Sequence, residues 1–197
     1  MLARIMGCNH DEDIPDFSDD ERRNLAFRYK RIYKHAAFRL NYTTYDVRRA
    51  QDTINPRTSH TDIMVLSRDD EEGNGKKSPF WYGRVLGVFH VHVRQLGLGG
   101  LPKSMQDKRM DFLWVRWFGK EPGYRWGFKA QRLERVGYLV ANDPGAFGFV
   151  DPQDVIRGCH LIPAFEYGQT PEFIGPSMAR DHPDGDWESY YVSRYAS

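Results

Sequence analysis

The sequence predicts a β-dominated α+β fold with one N-terminal helix and an irregular C-terminal tail. Two long segments, residues 80–94 and 109–119, are rich in aromatic and β-branched side chains. In the first, Val85, Val91 and Val93 alternate with polar residues at a period of two. This composition and alternation are typical of strands with one buried face. We expect the two segments to pair across a glycine-containing linker that is too long for a tight hairpin.

A capping box predicts the helix. Ser18 stands three residues before Glu21, and further acidic residues in the first turn suit the helix dipole. Apolar residues then recur at helical spacing, so we predict a helix over residues 19–37. Shorter strands are predicted at residues 38–47, 62–66 and 129–138. We expect residues 1–17 to be a flexible lead-in, residues 18–165 to be one β-rich domain, and residues 166–197 to be an acidic, irregular tail that is packed on the domain or mobile.

Length and composition limit the class of protein. The 197 residues suffice for one domain with a proper core. No segment approaches the roughly 20 apolar residues of a membrane span, so no membrane partner is expected. The first residues lack the apolar run of a signal peptide. Two cysteines, Cys8 and Cys159, do not make a disulfide framework, which favours a reducing intracellular compartment.

Charge is unevenly distributed along the chain. Residues 76–135 carry thirteen Lys or Arg against four Asp or Glu, whereas residues 136–197 carry three against nine. A basic middle in a chain of net charge +1 favours an anionic partner, which we expect to be DNA or a nucleosome. The alternative is that the acidic tail folds back and neutralises the middle.

Candidate phosphate contacts come from the strands and loops of this basic region. Tyr124 and Trp126, on either side of Arg125, have rings on which bases can stack. Nothing in the chain predicts reading of base edges, so we expect binding to be phosphate-driven and sensitive to salt. The alternative is that the charges are scattered and serve solubility. The candidates are Arg84, Arg94, Lys103, Lys108, Arg109, Arg116, Lys120, Arg125, Lys129 and Arg132.

Aromatic residues of the same region suggest a second kind of site. Recognition of a methylammonium group needs about three aromatic faces around the cation. Trp81, Tyr82 and Trp126 lie at strand ends or in a loop, which makes them better cage candidates than residues such as Trp117 that alternate with core residues. The alternative is that these rings pack in the core.

Enzyme chemistry has little support in the sequence. No nucleophile elbow, P-loop or His-Glu-x-x-His motif occurs. Cys159 and His160 would point to opposite faces of a strand, which is poor geometry for a nucleophile and its base. His90 and His92 project from one face of a strand and would bind zinc if a third ligand, such as His60 or His160, joined them. Packing or hydrogen bonding is the alternative, and we expect no cofactor, no metal and no catalysis.

Six segments spread over most of the chain form a set of motifs. They are YTTYDVRR (42–49), QDTINPRT (51–58), DIMVL (62–66), WYGRVLGVFHV (81–91), RWFG (116–119) and DVIRGCHLIPAF (154–165). In this order they resemble the C-terminal region of proteins encoded by Plavaka-type (CACTA-like) transposons of mushroom-forming fungi. The resemblance implies a mobile element, a nuclear location and further domains of a parent protein as partners.

A shorter resemblance, over about forty residues, is to BAH-type domains. Residues 82–85 match an aromatic–x–Arg–hydrophobic strand, and residues 114–118 match a strand ending Val-Arg-Trp-Phe. This resemblance implies a small SH3-like β-barrel with extra elements that binds nucleosomes, histone tails or partner proteins. After Phe118 the chain departs from the pattern, which leaves the partner open.

These observations favour a non-catalytic DNA- or chromatin-binding module that acts through a basic face. One alternative is a histone-tail reader with an aromatic cage, and another is a metal-dependent enzyme built on His90 and His92. A structural subunit-contact domain is the third.

Overall fold

The computed structural model describes residues 18–19, 23–43, 49–67, 79–96 and 107–194. The chain divides into two units, one drawn from Met1–His35 and Phe89–Phe112, the other from Ala36–Val88 and Leu113–Ser197. Two long strands contribute residues to both units. Within the described residues, no helix is long and apolar enough to cross a membrane.

The described residues form thirteen strands and three short 3-10 turns. The strands are β1 (Leu25–Phe27), β2 (Tyr33–His35), β3 (Phe38–Thr43), β4 (Arg49–Ile54), β5 (Asp62–Leu66), β6 (Phe80–Gln95), β7 (Lys108–Lys120), β8 (Arg135–Tyr138), β9 (Phe147–Val150), β10 (Val155–Pro163), β11 (Gln169–Thr170), β12 (Asp186–Trp187) and β13 (Tyr190–Ser193). The turns are Arg28–Lys30, Pro152–Asp154 and Phe165–Tyr167. The β-dominated class and the pairing of the two long strands are thereby confirmed.

The first unit contains β1, β2 and the adjoining ends of β6 and β7. β1 runs antiparallel to β6, and β2 also pairs with β6. Val91, Val93 and Met110 are buried together, and Phe112 packs against them. The burial of Val91 and Val93 agrees with the predicted alternation of β6.

The prediction of a helix continuing to residue 37 is wrong. Leu25–Phe27 and Tyr33–His35 are strands, and the 3-10 turn between them contains Tyr29 and Lys30 with positive φ angles of 56° and 50°. A helix cannot pass through that conformation. Hydrogen bonding to the edge of β6 outweighs the weak helical preference of the segment. Residues 20–22 of the predicted first turn lie outside the described residues.

The strand pairings that include the second unit form a cycle that begins and ends at β6. The order is β6–β5–β10–β13–β8–β7, and β7 also pairs with β6. β9 pairs with β7, while β3 and β4 form a separate two-stranded sheet, as do β11 and β12. The strand predicted at 129–138 is confined to β8, and the strand predicted at 38–47 is formed by Phe38–Thr43 as far as the chain is described.

Both faces of this sheet carry an apolar cluster. On β5, Ile63 and Val65 belong to one cluster and Met64 to the other, as strand alternation requires. Close packing across the strands fixes a glycine at position 83. A Cβ atom at Gly83 would lie 2.3 Å from Cγ1 of Val115 and 3.0 Å from the ring of Trp117. No larger residue fits there unless the side chains of Val115 and Trp117 move.

The C-terminal segment is more regular than its composition predicted. β13 lies between β10 and β8, with Leu161 opposite Val192 and Val136 opposite Tyr190. Tyr190 and Val192 are buried. The expectation of an irregular tail is therefore wrong for residues 190–193. They form a strand of the sheet, and their side chains alternate between buried and half-buried.

A buried ion pair joins this segment to β7. Both Arg116 and Asp186 are inaccessible to solvent, and Nη2 of Arg116 donates to Oδ2 of Asp186 over 2.8 Å. Nη1 donates to the carbonyl of Ala179 over 2.9 Å, and the guanidinium lies 3.6 Å from the ring centre of Tyr138. Such a pair contributes little when intact, but removal of one partner leaves an uncompensated buried charge.

We expect Asp186→Ala to lower the free energy of unfolding by about 3–5 kcal/mol, because Arg116 would lose its counter-charge. Asp184→Ala is the matched control, since its side chain is exposed, and a change within about 0.5 kcal/mol is expected for it. Urea denaturation followed by tryptophan fluorescence measures both. Equal, small losses in the two variants would contradict the role given to the buried pair.

Candidate nucleic-acid interface

The loop of residues 121–134, between β7 and β8, is held firmly at its base. At one side Arg135 donates hydrogen bonds to Glu121 and to the hydroxyl of Tyr167. Its guanidinium lies 4.2 Å from the ring centre of Tyr124 and 4.5 Å from that of Tyr167. Burial alone would lower the pKa of Arg135, but the bonds to Glu121 and Tyr167 outweigh it and raise the pKa.

At the other side of the base, Arg194 is enclosed by aromatic rings. Its guanidinium lies 5.1 Å from the ring centre of Phe80, 5.9 Å from that of Tyr82 and 5.4 Å from that of Trp126. It donates to the hydroxyl of Tyr82 over 2.8 Å and to the carboxylate of Glu134, which is 3% exposed. Cation–π contacts and a charge-assisted hydrogen bond therefore fix the loop to β6 and β13.

The tip of the loop is a tight turn that leaves its side chains in solvent. The amide of Gly127 donates to the carbonyl of Arg132 over 2.8 Å, and the amide of Ala130 donates to the carbonyl of Gly127 over 3.0 Å. Gly127 has a φ of 97°, a conformation that glycine adopts without strain. Phe128, next to it, is 100% exposed.

Three cations of the loop are accessible. Arg125, Lys129 and Arg132 are all exposed. Among the residues that the structure describes, none of the three side chains has an ion-pair partner. We call these three residues and Phe128 the basic tip. Their charges are available to a ligand because the carboxylates of the same loop, Glu121 and Glu134, are paired with Arg135 and Arg194.

An open groove of about 460 Å³ lies beside the basic tip. Its aromatic rings are on the loop, on the 3-10 turn at 165–167 and on β13. Tyr167 is half exposed, so part of its ring is open to a ligand beside the guanidinium of Arg135. The lining residues are Tyr124, Arg132, Leu133, Arg135, Tyr167 and Tyr191.

The other predicted phosphate contacts have different environments. Lys108 and Lys120 are exposed, and Lys103 lies outside the described residues. Arg94 is half-buried and donates to Asp107 over 2.8 Å, and exposed Arg109 pairs with Asp111 over 2.7 Å. These last two arginines carry a local counter-charge, which weakens the case for them as phosphate contacts.

Arg84 and Arg116 are corrections to the prediction. Arg116 is fully buried by its pair with Asp186, so it cannot reach a phosphate. Arg84 donates to both oxygens of Asp62, over 2.7 and 3.0 Å, and also to Asp181. Burial alone would lower the pKa of Arg84, but the carboxylates of Asp62 and Asp181 raise it well above its usual value. Both arginines are structural cations.

The predicted aromatic cage is not formed as proposed. Trp81 packs against the first apolar cluster, with its ring edge-on to Trp117 at 6.0 Å. Tyr82 is buried and, with Trp126, surrounds Arg194. The two neighbours on β6 point to opposite faces of the sheet, as adjacent strand residues must. Trp81 is therefore not a cage residue, and the rings that do meet already hold a cation.

Side chains that the sequence did not indicate lie beside the predicted histidine pair. In the first unit, Nδ1 of His90 lies 2.6 Å from Nε2 of His35, and the ring of Tyr33 stacks on His90 at 4.7 Å. The ring of His92 lies 5.3 Å from that of His90. His60 and His160, suggested as third ligands, belong to the second unit.

Cys159 has no feature of a nucleophile. Its side chain is buried in the second apolar cluster. Burial raises the pKa of the thiol well above its usual value, which keeps it protonated and unreactive at neutral pH. Cys8 lies outside the described residues.

Several contributing residues were missed from the sequence. Phe128 has only an indirect sequence signal, since Gly127 before it is a residue typical of turns. The roles of Arg194 and His35 have no sequence signal, because each residue acts through partners roughly 50 to more than 100 positions away in the chain.

Comparison with protein-family models, curated proteins and solved structures finds no match for the chain. The resemblances to Plavaka-type proteins and to BAH domains stay predictions that rest on the motifs alone.

We expect NMR titration to give His90 a pKa below 6.5. Partial burial disfavours the imidazolium, and Arg109, His35 and His92 lower the pKa further, while Asp111 opposes them. Arg109→Gln removes one repelling cation and frees Asp111, so the pKa of His90 should rise in that variant. Arg57→Gln, an exposed arginine of the other unit, is the control. No difference between the two variants would contradict the assigned electrostatics.

Proposed function

We propose that the protein is a non-catalytic DNA-binding module that contacts phosphates with its basic tip. The observation that carries the proposal is an anchored loop that presents three exposed cations, none with an ion-pair partner among the described residues, beside a fully exposed Phe128. Lys and Arg bind phosphates without regard to sequence, and aromatic faces stack on bases of any kind. The combination supports nucleic acid as the ligand, because it offers cations for phosphates and an exposed ring for a base.

Anchoring of the loop base favours binding. A ligand that meets a loop already held by Arg135 and Arg194 does not bear the cost of ordering that loop. The groove lined by Tyr124, Tyr167 and Tyr191 offers faces for an unpaired base next to the phosphate contacts. Stacking typically contributes about 1–3 kcal/mol per base.

The wider assignment follows from the resemblances. We propose that the returning order of pairings from β6 through β5, β10, β13, β8 and β7 is a small SH3-like barrel of the BAH type. Since BAH-type domains bind nucleosomes or histone tails, chromatin is the proposed setting and the nucleus the proposed location. The Plavaka-type motifs support a transposon-encoded parent protein, with its other domains as further partners.

Fluorescence anisotropy with a labelled random-sequence DNA, duplex and single-stranded, tests the proposal. Three phosphate contacts predict a slope of log K against log salt of about −2.7 on duplex, so raising salt from 50 to 200 mM should weaken binding about 40-fold. The triple variant Arg125→Glu, Lys129→Glu, Arg132→Glu should lose binding at 50 mM salt, because each contact becomes a repulsion.

The matched control carries the same charge change elsewhere in the unit. Arg39, Arg49 and Arg57 are exposed residues on or next to the β3–β4 sheet. Their triple reversal should leave most of the affinity in place. Equal losses in the two triple variants would mean that binding follows net charge and not the basic tip, and no binding of wild type at 50 mM salt would overturn the proposal.

A histone-tail reader is the second candidate, and one observation favours it. Phe80, Tyr82 and Trp126 surround a cation, and Oε1 of Glu134 is buried without a hydrogen-bond partner in the described part of the chain. A reader would need its ligand to replace Arg194. It would then bind a trimethyl-lysine peptide more tightly after Arg194→Ala, and charge reversal of the basic tip would leave the peptide affinity unchanged. DNA binding, by contrast, predicts that charge reversal of the basic tip abolishes binding.

A further inference from the structure

Three side chains of the first unit converge on one point. His35 on β2, His90 on β6 and Asp111 on β7 each offer a ligand atom, and these atoms all lie within 4.8 Å of one another. Two of the contributing strands are neighbours, since β2 pairs with β6. The convergence is a product of strand pairing, because the residues are 55 and 21 positions apart in the chain.

We propose that His35, His90 and Asp111 form a binding site for a first-row divalent transition metal of the Zn²⁺ type. Two imidazoles and one carboxylate are donors that zinc accepts, and three protein ligands leave a fourth position for water or another ligand. Hard cations such as Mg²⁺ and Ca²⁺ prefer sets made only of oxygen donors, so they do not suit this site.

The two imidazole nitrogens must move slightly apart to hold the ion. Two nitrogen ligands of one tetrahedral zinc ion lie about 3.3 Å apart, given zinc–nitrogen bonds of about 2.0–2.1 Å. Nε2 of His35 and Nδ1 of His90 are 2.6 Å apart, so the rings need a small separation to admit the ion. The ring of Tyr33 stacks on His90 and limits how that imidazole turns.

The ion pair that competes for the carboxylate is weak. Asp111 pairs with Arg109 over 2.7 Å, but both side chains are about half exposed, at 43% and 53%. An exposed pair of this kind contributes only about 0–1 kcal/mol, and a metal–carboxylate bond readily replaces it. Arg109 is nevertheless a positive charge beside the site, and it should reduce the affinity for a cation.

Metal uptake by tag-free protein tests the proposal. After dialysis against Zn²⁺, elemental analysis should find one ion per chain, and calorimetry gives the affinity. His35→Ala and Asp111→Asn should each weaken binding by more than the roughly 10–100-fold that loss of a supporting partner costs. Arg109→Gln should strengthen binding, which a loss of folding cannot mimic. Substitution of Co²⁺ should give the visible absorption of a four-coordinate nitrogen–oxygen site.

His60→Ala and His182→Ala are the controls, since both histidines are exposed and belong to the second unit. They should leave the stoichiometry and affinity unchanged, and circular dichroism of each variant without metal checks its fold. The proposal is overturned if wild type takes up no Zn²⁺, if the controls lose as much as Asp111→Asn, or if Arg109→Gln binds more weakly. The result is independent of the DNA experiment, because the basic tip belongs to the other unit.

Discussion

The need to neutralise two arginine side chains, one buried and one partly buried, is the constraint on which the second unit depends. Arg84 on β6 and Arg116 on β7 place their guanidinium groups among the rings of Phe118, Tyr138 and Tyr190, where an unpaired charge would cost several kcal/mol. Asp181 and Asp186, from the segment before β13, supply much of the required negative charge. Asp181 also accepts hydrogen bonds from the hydroxyls of Tyr138 and Tyr190. The acidic C-terminal region therefore does neutralise part of the basic middle, at two specific buried points.

This division of the cations changes what the charge of the chain means. Of the ten arginines and lysines that the sequence offered as phosphate contacts, Arg116 is buried, Arg84 is partly buried in ion pairs, and two more pair with aspartates of the first unit. Arg135 and Arg194 perform a third task, since they hold the base of the loop whose tip remains charged. A formal charge count weights all these side chains equally, although only those outside such pairs create a field that reaches a ligand.

The long strands were predictable because composition and alternation agree over many residues. Val91, Val93, Leu113 and Val115 are buried as the alternation required. The replacement of the predicted helix by β1 and β2 was not predictable. Capping residues and apolar spacing report only a local preference, whereas β1 and β2 form by pairing with a strand more than fifty residues away. Arg116 was misjudged for a related reason: β7 is covered on both faces, so the polar position of its alternation is also buried. The sequence predicted the three cations of the basic tip, Arg125, Lys129 and Arg132. It did not predict that the carboxylates of the same loop are paired elsewhere, because those ion pairs depend on tertiary contacts.

The interior position of β13 has a consequence for biosynthesis. A ribosome releases the chain from its N-terminus, so β10 and β8 emerge before the strand that lies between them. Until residues 190–193 emerge, the edges of β10 and β8 that β13 will join have no partner, and exposed edges of this kind invite pairing with other chains. The second unit thus completes its sheet only after residues 190–193 have emerged, and a chaperone that shields strand edges would matter most for it before then.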